Sequence, residues 1–550
     1  MKKGFALLMA AVMLMAVPVS TALGSESDTD VILSEDLMIS DETMAADEGE
    51  SESLSGEDAA LIDVIEVQGE DAENETEADT DVTLVDESGA ADDSDSVTED
   101  DVLVVGIEEA DAEDIPAEVS EAAESEASEL IDEAAAVENT VTAVSDLTPE
   151  ATNNTGDQNY SAKSSPVYSY LEVVSNGFMR VEYTGSVIVV EYYNSSFTLT
   201  SKKYVTRELP YFGGFYAGSD AYYLVFGQNN ADEDDSTEVV RVVKYSADWV
   251  RQGAASLYGA NTTIPFRSGS LRMAESGGYL YIRTSHQMYA SSDGVNHQAN
   301  LAIEVDESSM TVTYSGNMGY VSHSFNQFIL VDDSNNLVEV DHGDAYPRAA
   351  ILFRGSKQGG ISTFSYNSVK LLSFQGATGN NATGASLGGL EYSSSSYLVA
   401  GNSVTQDSDW SSHTARNIFV TVTSRSSLSS TSVKWITDYD TDGSISASTP
   451  QLVKLGSDSF LLLWTTTEYS ISGNTGSKQS KLHYVYLDGQ GNTTSEIYTV
   501  NGQLSNCKPT VSGGSVYWYV TGDADSTSSS TTPYFYTIRS DGSFSVKVSL

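Results

Sequence analysis

The feature that most constrains this chain is a strand-like segment that recurs after a small turn in its C-terminal two-thirds. The copies mix aromatic and aliphatic residues, as in "SDAYYLVFGQ" and "GGSVYWYVTG", and six of them begin at Ser219, Gly277, Phe325, Ser395, Ser457 and Gly513. A more divergent seventh copy, "GFMRVEYTGSVIVVEYY", precedes them at Gly177. Short apolar runs separated by Gly, Asp, Ser and Asn are typical of antiparallel strands joined by turns. The pattern therefore predicts an all-β fold.

The spacing of the copies predicts units of about four strands each. The interval from one copy to the next suits such a unit, with corresponding points at Tyr222, Tyr279, Asn326, Tyr397, Phe460 and Tyr517. Another strand follows each copy, and a partner strand or turn precedes several. A small sheet of this kind cannot bury its own faces, so successive units are expected to stack against one another and to protect their edges by closing.

In this organisation the chain resembles seven-bladed β-propeller proteins. The resemblance is architectural and covers residues 165–550, without "WD" dipeptides at the repeat ends, an Asp-box series or a regular kelch set. It implies a propeller domain over residues 161–550 with seven blades of four antiparallel strands. The long interval between Asn326 and Tyr397 leaves six or eight blades open, and a pair of β-sandwiches is the alternative fold. A propeller names no activity, because the same fold serves binding and several chemistries.

The net charge of −54 is concentrated in the N-terminal part of the chain. Residues 1–150 hold 45 of the 80 acidic residues and only two basic ones, Lys2 and Lys3. Strong like charge and few aromatic residues predict a disordered acidic leader over residues 25–160. Binding to nucleic acid or to anionic membranes is disfavoured, because both need clustered Lys and Arg.

Short apolar patches interrupt this leader. They read "DVIL", "DVIEV", "DVTLV" and "DVLVV" and start at Asp30, Asp63, Asp81 and Asp101. One interpretation is a solvated spacer that happens to keep some apolar residues. The other is a set of short motifs that dock on the edge of a sheet.

Residues 1–24 have the pattern of a secretory signal peptide. Lys2 and Lys3 precede an apolar run from Phe5 to Val17, and small residues follow it. The run is shorter than the roughly 20 residues of a spanning helix, and no later segment is long enough either. We therefore expect a secreted or cell-surface protein without a membrane span. Cys507 is the only cysteine, which excludes an intrachain disulfide and predicts a small buried side chain.

A candidate ligand-binding site lies where ionisable residues concentrate. Four of the six histidines fall between His286 and His342, in a set that comprises His286, His297, His323, His342, Asp344, Arg348 and Arg283. Asp341 and Arg272 lie in the same region. At the mouth of a propeller channel, these side chains would bind a divalent metal or an acidic sugar. The alternative is that they are ordinary turn and strand-end residues.

A candidate calcium loop reads "DYDTDG". Asp438, Asp440 and Asp442 alternate before Gly443, as in the first half of a calcium-binding loop. The twelfth position is Thr449 rather than Glu, so the site is not a complete helix-loop-helix motif. An acidic surface turn is the alternative.

Two functional hypotheses follow. The first is a binding protein that uses the propeller as a platform for an extracellular polysaccharide or protein, without catalysis. The second is a calcium-dependent carbohydrate-active enzyme, a lyase or hydrolase, with its site near His323–Arg348. The sequence indicates neither the ligand nor the oligomeric state.

Overall fold

A computed structural model describes residues 141–155, 163–356, 366–404, 415–429, 431–439, 445–472, 475–522 and 532–549. This part of the chain is all-β and propeller-like, with thirty strands in six antiparallel sheets. It contains no helix, and hence no helix that could cross a membrane. The predicted all-β, propeller-like class is thus confirmed.

Sheets 1 and 2 contain the first nine strands. Sheet 1 has the order β1-β5-β4-β3-β2 and comprises β1 (Val141–Val144), β2 (Ser169–Val174), β3 (Gly177–Tyr183), β4 (Ile188–Asn194) and β5 (Leu199–Val205). Sheet 2 comprises β6 (Tyr211–Ala217), β7 (Ala221–Gly227), β8 (Glu238–Ser246) and β9 (Arg251–Tyr258). β1 and the residues that follow it lie within the stretch predicted as leader.

Sheet 3 is a nine-stranded sheet. Its strands are β10 (Ile264–Pro265), β11 (Arg272–Ser276), β12 (Tyr279–Ala290), β13 (Asn296–Asp306), β14 (Thr311–Gly316), β15 (Ser322–Val331), β16 (Asn336–Tyr346), β17 (Ala349–Ser356) and β18 (Tyr366–Ser373). The runs β11–β14 and β15–β18 follow each other and are joined where β13 pairs with β15 at Ala299 and Ser322. The amide of Asn300 also donates to the Val321 carbonyl at 3.1 Å.

Sheets 4, 5 and 6 have four strands each. Sheet 4 comprises β19 (Ala385–Tyr392), β20 (Ser396–Ser403), β21 (Asn417–Ser424) and β22 (Thr431–Trp435). Sheet 5 comprises β23 (Gln451–Gly456), β24 (Ser459–Ser472), β25 (Thr475–Asp488) and β26 (Tyr498–Asn501). Sheet 6 comprises β27 (Thr510–Ser512), β28 (Ser515–Val520), β29 (Tyr534–Ile538) and β30 (Phe544–Val548).

The predicted count of seven separate blades is wrong. In the described residues five sheets have the size of a separate blade, with four or five strands, and the third and fourth predicted units share sheet 3. A short connection joins β14 to β15, and the first residue of β15, Ser322, pairs with Ala299 of β13.

The uneven spacing of the predicted units has a structural cause. Five of the six corresponding points lie on the second strand of a run, but Asn326 lies on β15, which is a first strand. The second strand there is β16, with Leu337 at the matching position. With Leu337 as the corresponding point, the intervals from Tyr279 and to Tyr397 become nearly equal.

Apolar side chains join the six sheets in a cycle. Alternation along each strand sends one set of side chains to each neighbouring sheet. Val181 and Phe226 belong to the cluster between sheets 1 and 2, and Leu463 and Trp518 to that between sheets 5 and 6. Similar clusters join sheets 2 and 3, 3 and 4, and 4 and 5. A sixth cluster joins the last sheet to the first, and it includes the free cysteine, Cys507, which is buried as predicted.

The contact between sheets 1 and 6, which we call the seam, is half apolar and half ionic. Phe178 on β3 belongs to the apolar half, whereas Arg180 on the same face of β3 lies among carboxylates. Arg180 donates to Glu191 from Nε at 3.0 Å and from Nη2 at 2.8 Å, and it forms a short ion pair with Glu182. All three charged side chains are fully buried. Across the seam, Tyr519 of β28 donates to Glu182 at 2.9 Å.

Residues 146–155, which we call the strap, cover the ionic half of the seam. The amide of Glu150 donates to Glu191 at 2.7 Å, and the amide of Thr152 donates to Glu182 at 2.5 Å. The strap then reaches sheet 6, where Asn154 accepts from the Thr521 amide at 2.7 Å. Buried carboxylates are tolerated only when their oxygens are paired, so the strap completes the network.

Replacing Arg180, the cation of the seam, should lower the stability of the fold. The variant Arg180→Met leaves two buried carboxylates without their counter-ion, so we expect the free energy of unfolding to fall by roughly 3–5 kcal/mol. Urea unfolding followed by tryptophan fluorescence measures this loss. The control is Arg241→Met, because Arg241 pairs with Glu238 while 28% exposed, and it should cost at most about 1 kcal/mol. Equal losses in the two variants would contradict the role assigned to the seam.

Candidate functional site in the ring centre

The structure brings three residues of the predicted ligand site together. Asp344, near the end of β16, is fully buried and forms a short ion pair with Arg348, while His323 Nδ1 lies 3.5 Å from the Asp344 carboxylate. Arg348 also donates to the carbonyls of Gln375 and Ala382, each at 2.7 Å. These contacts fasten the segment between β18 and β19 to sheet 3. Both charged groups of this ion pair are thus already bound by other groups of the protein.

His342 lies on the same face of β16 but is buried between aromatic rings. Its Nε2 atom is 2.7 Å from the Thr383 hydroxyl, and its ring packs edge-on against Phe325 and Phe374. Burial lowers the pKa of His342 to about 3, although the charge of Asp344 opposes this. The side chain is therefore neutral at physiological pH and packs in the interface between sheets 3 and 4.

The remaining histidines of the predicted set lie apart from this group. His286 is buried on β12, where Nδ1 is 2.7 Å from the Thr262 hydroxyl, and burial lowers its pKa to about 4. His297 lies on β13 beside the loop that joins β12 to β13, with Nε2 2.9 Å from Asp293. The structure therefore does not gather the four histidines into one site.

Arg283 belongs to a separate buried cluster. It forms an ion pair with Asp341 and lies beside the carboxyl group of Glu339, and all three side chains are fully buried. The Glu339 oxygen lies 3.0 Å from Arg283 Nη1, but the geometry makes no hydrogen bond. Burial raises the pKa of Glu339 to about 8, against the effect of Arg283. The cluster holds β12 against β16 and has no exposed member.

The calcium prediction falls mostly outside the described residues. Asp438 is exposed, whereas Asp440 and Asp442 are not among the residues that the structure describes. Within the described ranges, no three His, Cys, Asp or Glu side chains are grouped so that they could hold a metal ion. Calcium at this loop stays a prediction.

A different set of charged side chains converges on the ring centre. The first strands of neighbouring sheets contact one another, β19 with β23 and β2 with β27 among them, and so form the innermost layer. Lys508, two residues before β27, donates to Glu391 of β19 at 3.2 Å. These residues belong to sheets 6 and 4, with sheet 5 between them in the cycle. Side chains from non-neighbouring sheets meet only near the middle of a ring, so this pair marks the centre.

Glu172 of β2 adds a carboxyl group from a third sheet. It is partly exposed, and burial among neighbouring side chains raises its pKa to about 7, while the nearby Lys508 ammonium acts in the opposite direction. Lys508 is 67% exposed and Glu391 is 14% exposed. The group is therefore reachable from solvent, and it includes a carboxyl group whose pKa is raised towards neutrality.

Two more cations, each over an aromatic ring, lie on the same innermost layer of strands. The Lys454 ammonium of β23 lies 3.2 Å from the centre of the Tyr392 ring. The Arg272 guanidinium of β11 lies 5.2 Å from the centre of the Phe328 ring on β15. Burial lowers the pKa of Arg272. We call five charged residues of the innermost layer the channel cluster: Glu172, Arg272, Glu391, Lys454 and Lys508.

The channel cluster can recognise a polar ligand. Its cations and carboxylates can bind hydroxyl and carboxylate groups. Glu172 can also donate a proton near neutral pH.

Sequence reasoning missed most of this cluster because its members are far apart in the chain. Arg272 was noted, but as a companion of the histidines. One signal was present: the strand preceding the aromatic strand in several units carries a charged residue amid apolar ones, as in "SYLEVV", "SLRMAES" and "QLVKLG". Glu172, Arg272 and Lys454 occupy such positions.

Comparisons with known proteins identify no family. No family model and no curated protein matches the chain. Among solved structures, a subtype N10 neuraminidase-like protein of a bat isolate from Guatemala aligns at a TM-score of 0.34 and 9% identity, over 62% of this chain and 98% of the other. A hypothetical selenium-binding protein from Sulfolobus tokodaii aligns at 0.35 and 10%, over 60% and 80%. The α-L-arabinofuranosidase Arb93A from Fusarium graminearum aligns at 0.33 and 10%, over 61% and 97%. Likeness at this level assigns no activity.

The buried histidine should make stability depend on pH. The folded-state pKa of His342, about 3, lies below the unfolded value of about 6.5, so the unfolded chain takes up the proton first as the pH falls. His342 therefore destabilises the fold as the pH drops below about 6.5. Between pH 7 and 5, we expect the wild type to lose about 2 kcal/mol more than His342→Gln. Urea unfolding at both pH values measures this difference, and an identical loss in the two proteins would refute it.

Proposed function

We propose that the protein is a secreted or cell-surface propeller that binds an extracellular glycan at the channel cluster. The observation that carries this proposal is the contact between Lys508 and Glu391, at 3.2 Å, between sheets that are not neighbours. It brings an exposed ammonium group and a largely buried carboxylate together at a site that exists only in the closed ring.

The chemistry of the cluster supports a glycan rather than an apolar ligand. Charged groups of both signs lie there, a combination that satisfies the hydroxyl groups of a sugar. Lys508 is largely exposed and is the group that would meet a carboxylate or hydroxyl group first.

The position near His323–Arg348 is less suited to a ligand. The Asp344 carboxylate and the Arg348 guanidinium already have protein partners, and both side chains are almost completely buried. A ligand there would have to displace the segment between β18 and β19. We accordingly place the binding site in the ring centre, and calcium at Asp438 remains a proposal for this chain.

Loss of the exposed ammonium group should weaken glycan binding. On an array of neutral and acidic oligosaccharides, we expect Lys508→Ala to bind the wild-type glycan about tenfold more weakly, which corresponds to ~1.4 kcal/mol. The matched control is Lys481→Ala, since Lys481 bonds to Asn501 within sheet 5 and its loss should leave binding unchanged. A wild-type protein that binds no glycan, or equal weakening in both variants, would overturn the proposal.

A second candidate function, glycan cleavage, is favoured by Glu172. Glycosidases use one protonated and one ionised carboxyl group on either side of the scissile bond. Glu172 would give its proton to the leaving oxygen as the glycosidic bond breaks, and Glu391 would take a proton from the water molecule that adds to the anomeric carbon. The carboxyl pKa of about 7 suits a proton donor that works near neutral pH.

This second function is tested by measuring whether the glycan that the protein binds is cut, which releases new reducing ends. If cleavage occurs, Glu172→Gln should lower its rate at least ~100-fold while binding persists. The wild-type rate should fall as the pH rises through about 7, because Glu172 then loses its proton. Glu275→Gln is the control, since Glu275 bonds to Ser219 on the neighbouring sheet. A bound glycan that is never cleaved removes this candidate and leaves the binding proposal standing.

A further inference from the structure

The first sheet has an outer strand that comes from the leader side of the chain. β1 pairs antiparallel with β5, from Val141 opposite Val205 to Val144 opposite Lys202. A long connection, which includes the strap, separates it from β2, so it is not part of the sheet's hairpin series. A short aliphatic segment has here been added to an edge, which is the β-augmentation mode of recognition.

The other sheets have outer strands that lack such a cover. In the described residues, a strand partner is found on one side only for β9, β14, β18, β22, β26 and β30. Such edges present unpaired N–H and C=O groups that can pair with another strand. On β30, Val546 is 42% and Val548 is 43% exposed, and Lys547 lies between them. This edge thus offers backbone groups, apolar contacts and a positive charge.

The leader patches share the character of β1. β1 reads "VTAV" and is followed by Asp146, and the patch from Asp101 reads "DVLVV" after Glu99 and Asp100. Both are short aliphatic segments next to acidic residues. The patches lie outside the described residues, so the inference rests on β1 and on the edges that remain open.

We propose that Asp101–Val105 pairs with the outward edge of β30 in its own chain, as β1 pairs with β5. The acids that precede the patch complement Lys547. The chain between Val105 and Val141 can span on the order of 100 Å at roughly 3.3 Å per residue, which is enough to reach any edge of the domain. The tether also gives the patch a high effective concentration at that edge.

Amide hydrogen exchange on the full-length mature protein tests the pairing. We expect the amides of residues 102–105, and those β30 amides that point away from β29, to exchange at least ~10-fold more slowly than the amides of residues 107–115. In Leu103→Pro, which removes a donor and disfavours the strand, both segments should lose this protection. The matched control is Ala112→Pro, in the leader but outside the patches, and it should retain it.

Each other result overturns a defined part of the proposal. Random-coil exchange of residues 102–105 in the wild type would show that the patch does not dock. Protection of another outer strand in place of β30 would refute the choice of edge. Protection that disappears on strong dilution would show pairing between copies and would refute pairing within one chain.

Discussion

Closure of the seam is the condition on which the rest of the structure depends. Each sheet of the described residues is built from strands that are consecutive in the chain, so none of these sheets holds both ends of the domain together by sharing strands. Sheet 1 therefore stays against sheet 6 through side-chain contacts and through the strap, where Asn154 exchanges backbone hydrogen bonds with Thr521 and Asn506. Phe178, Phe197 and Phe535 supply an apolar contact there. The buried guanidinium of Arg180 with its two carboxylates supplies a contact that is unfavourable unless every partner is in place.

The seam and the channel cluster are built from adjacent residues. Leu171 packs in the seam, and the next residue of β2, Glu172, belongs to the channel cluster. Cys507 packs in the seam, and Lys508 follows it directly. Alternation of side chains along an extended chain turns neighbouring residues to opposite sides. The contact that closes the ring therefore also positions the charges at its centre.

The strands were predictable because their signal is local. Alternating aromatic and aliphatic residues between turns identify β7, β12, β20, β24 and β28 without knowledge of their neighbours. The number of separate blades was not predictable, because the pairing of β13 with β15 depends on a short connection and on register rather than on composition. The error at Asn326 shows the same limit, since a first and a second strand have similar patterns.

The sites were harder to predict than the strands. Concentrations of His, Asp and Arg near strand ends resemble ligand sites, yet His342 and Arg283 are buried and have protein partners. Burial of a polar group depends on packing between sheets, which the sequence does not display. The channel cluster has the opposite property, because its members are far apart in the chain and meet only through closure. The only sequence signal for the strap is that acidic residues become fewer at this end of the leader.

The position of β1 and the strap has a mechanical consequence. They precede the first sheet, so tension carried by the chain before Val141 reaches the four β1–β5 residue pairs first and the strap next. Pulling along β1 loads its hydrogen bonds in shear, together rather than one after another. Beyond them the load falls on Thr152, whose amide and hydroxyl group both bond to Glu182. A tether attached on this side would thus strain the outer edge of sheet 1 first and the junction that closes the ring next.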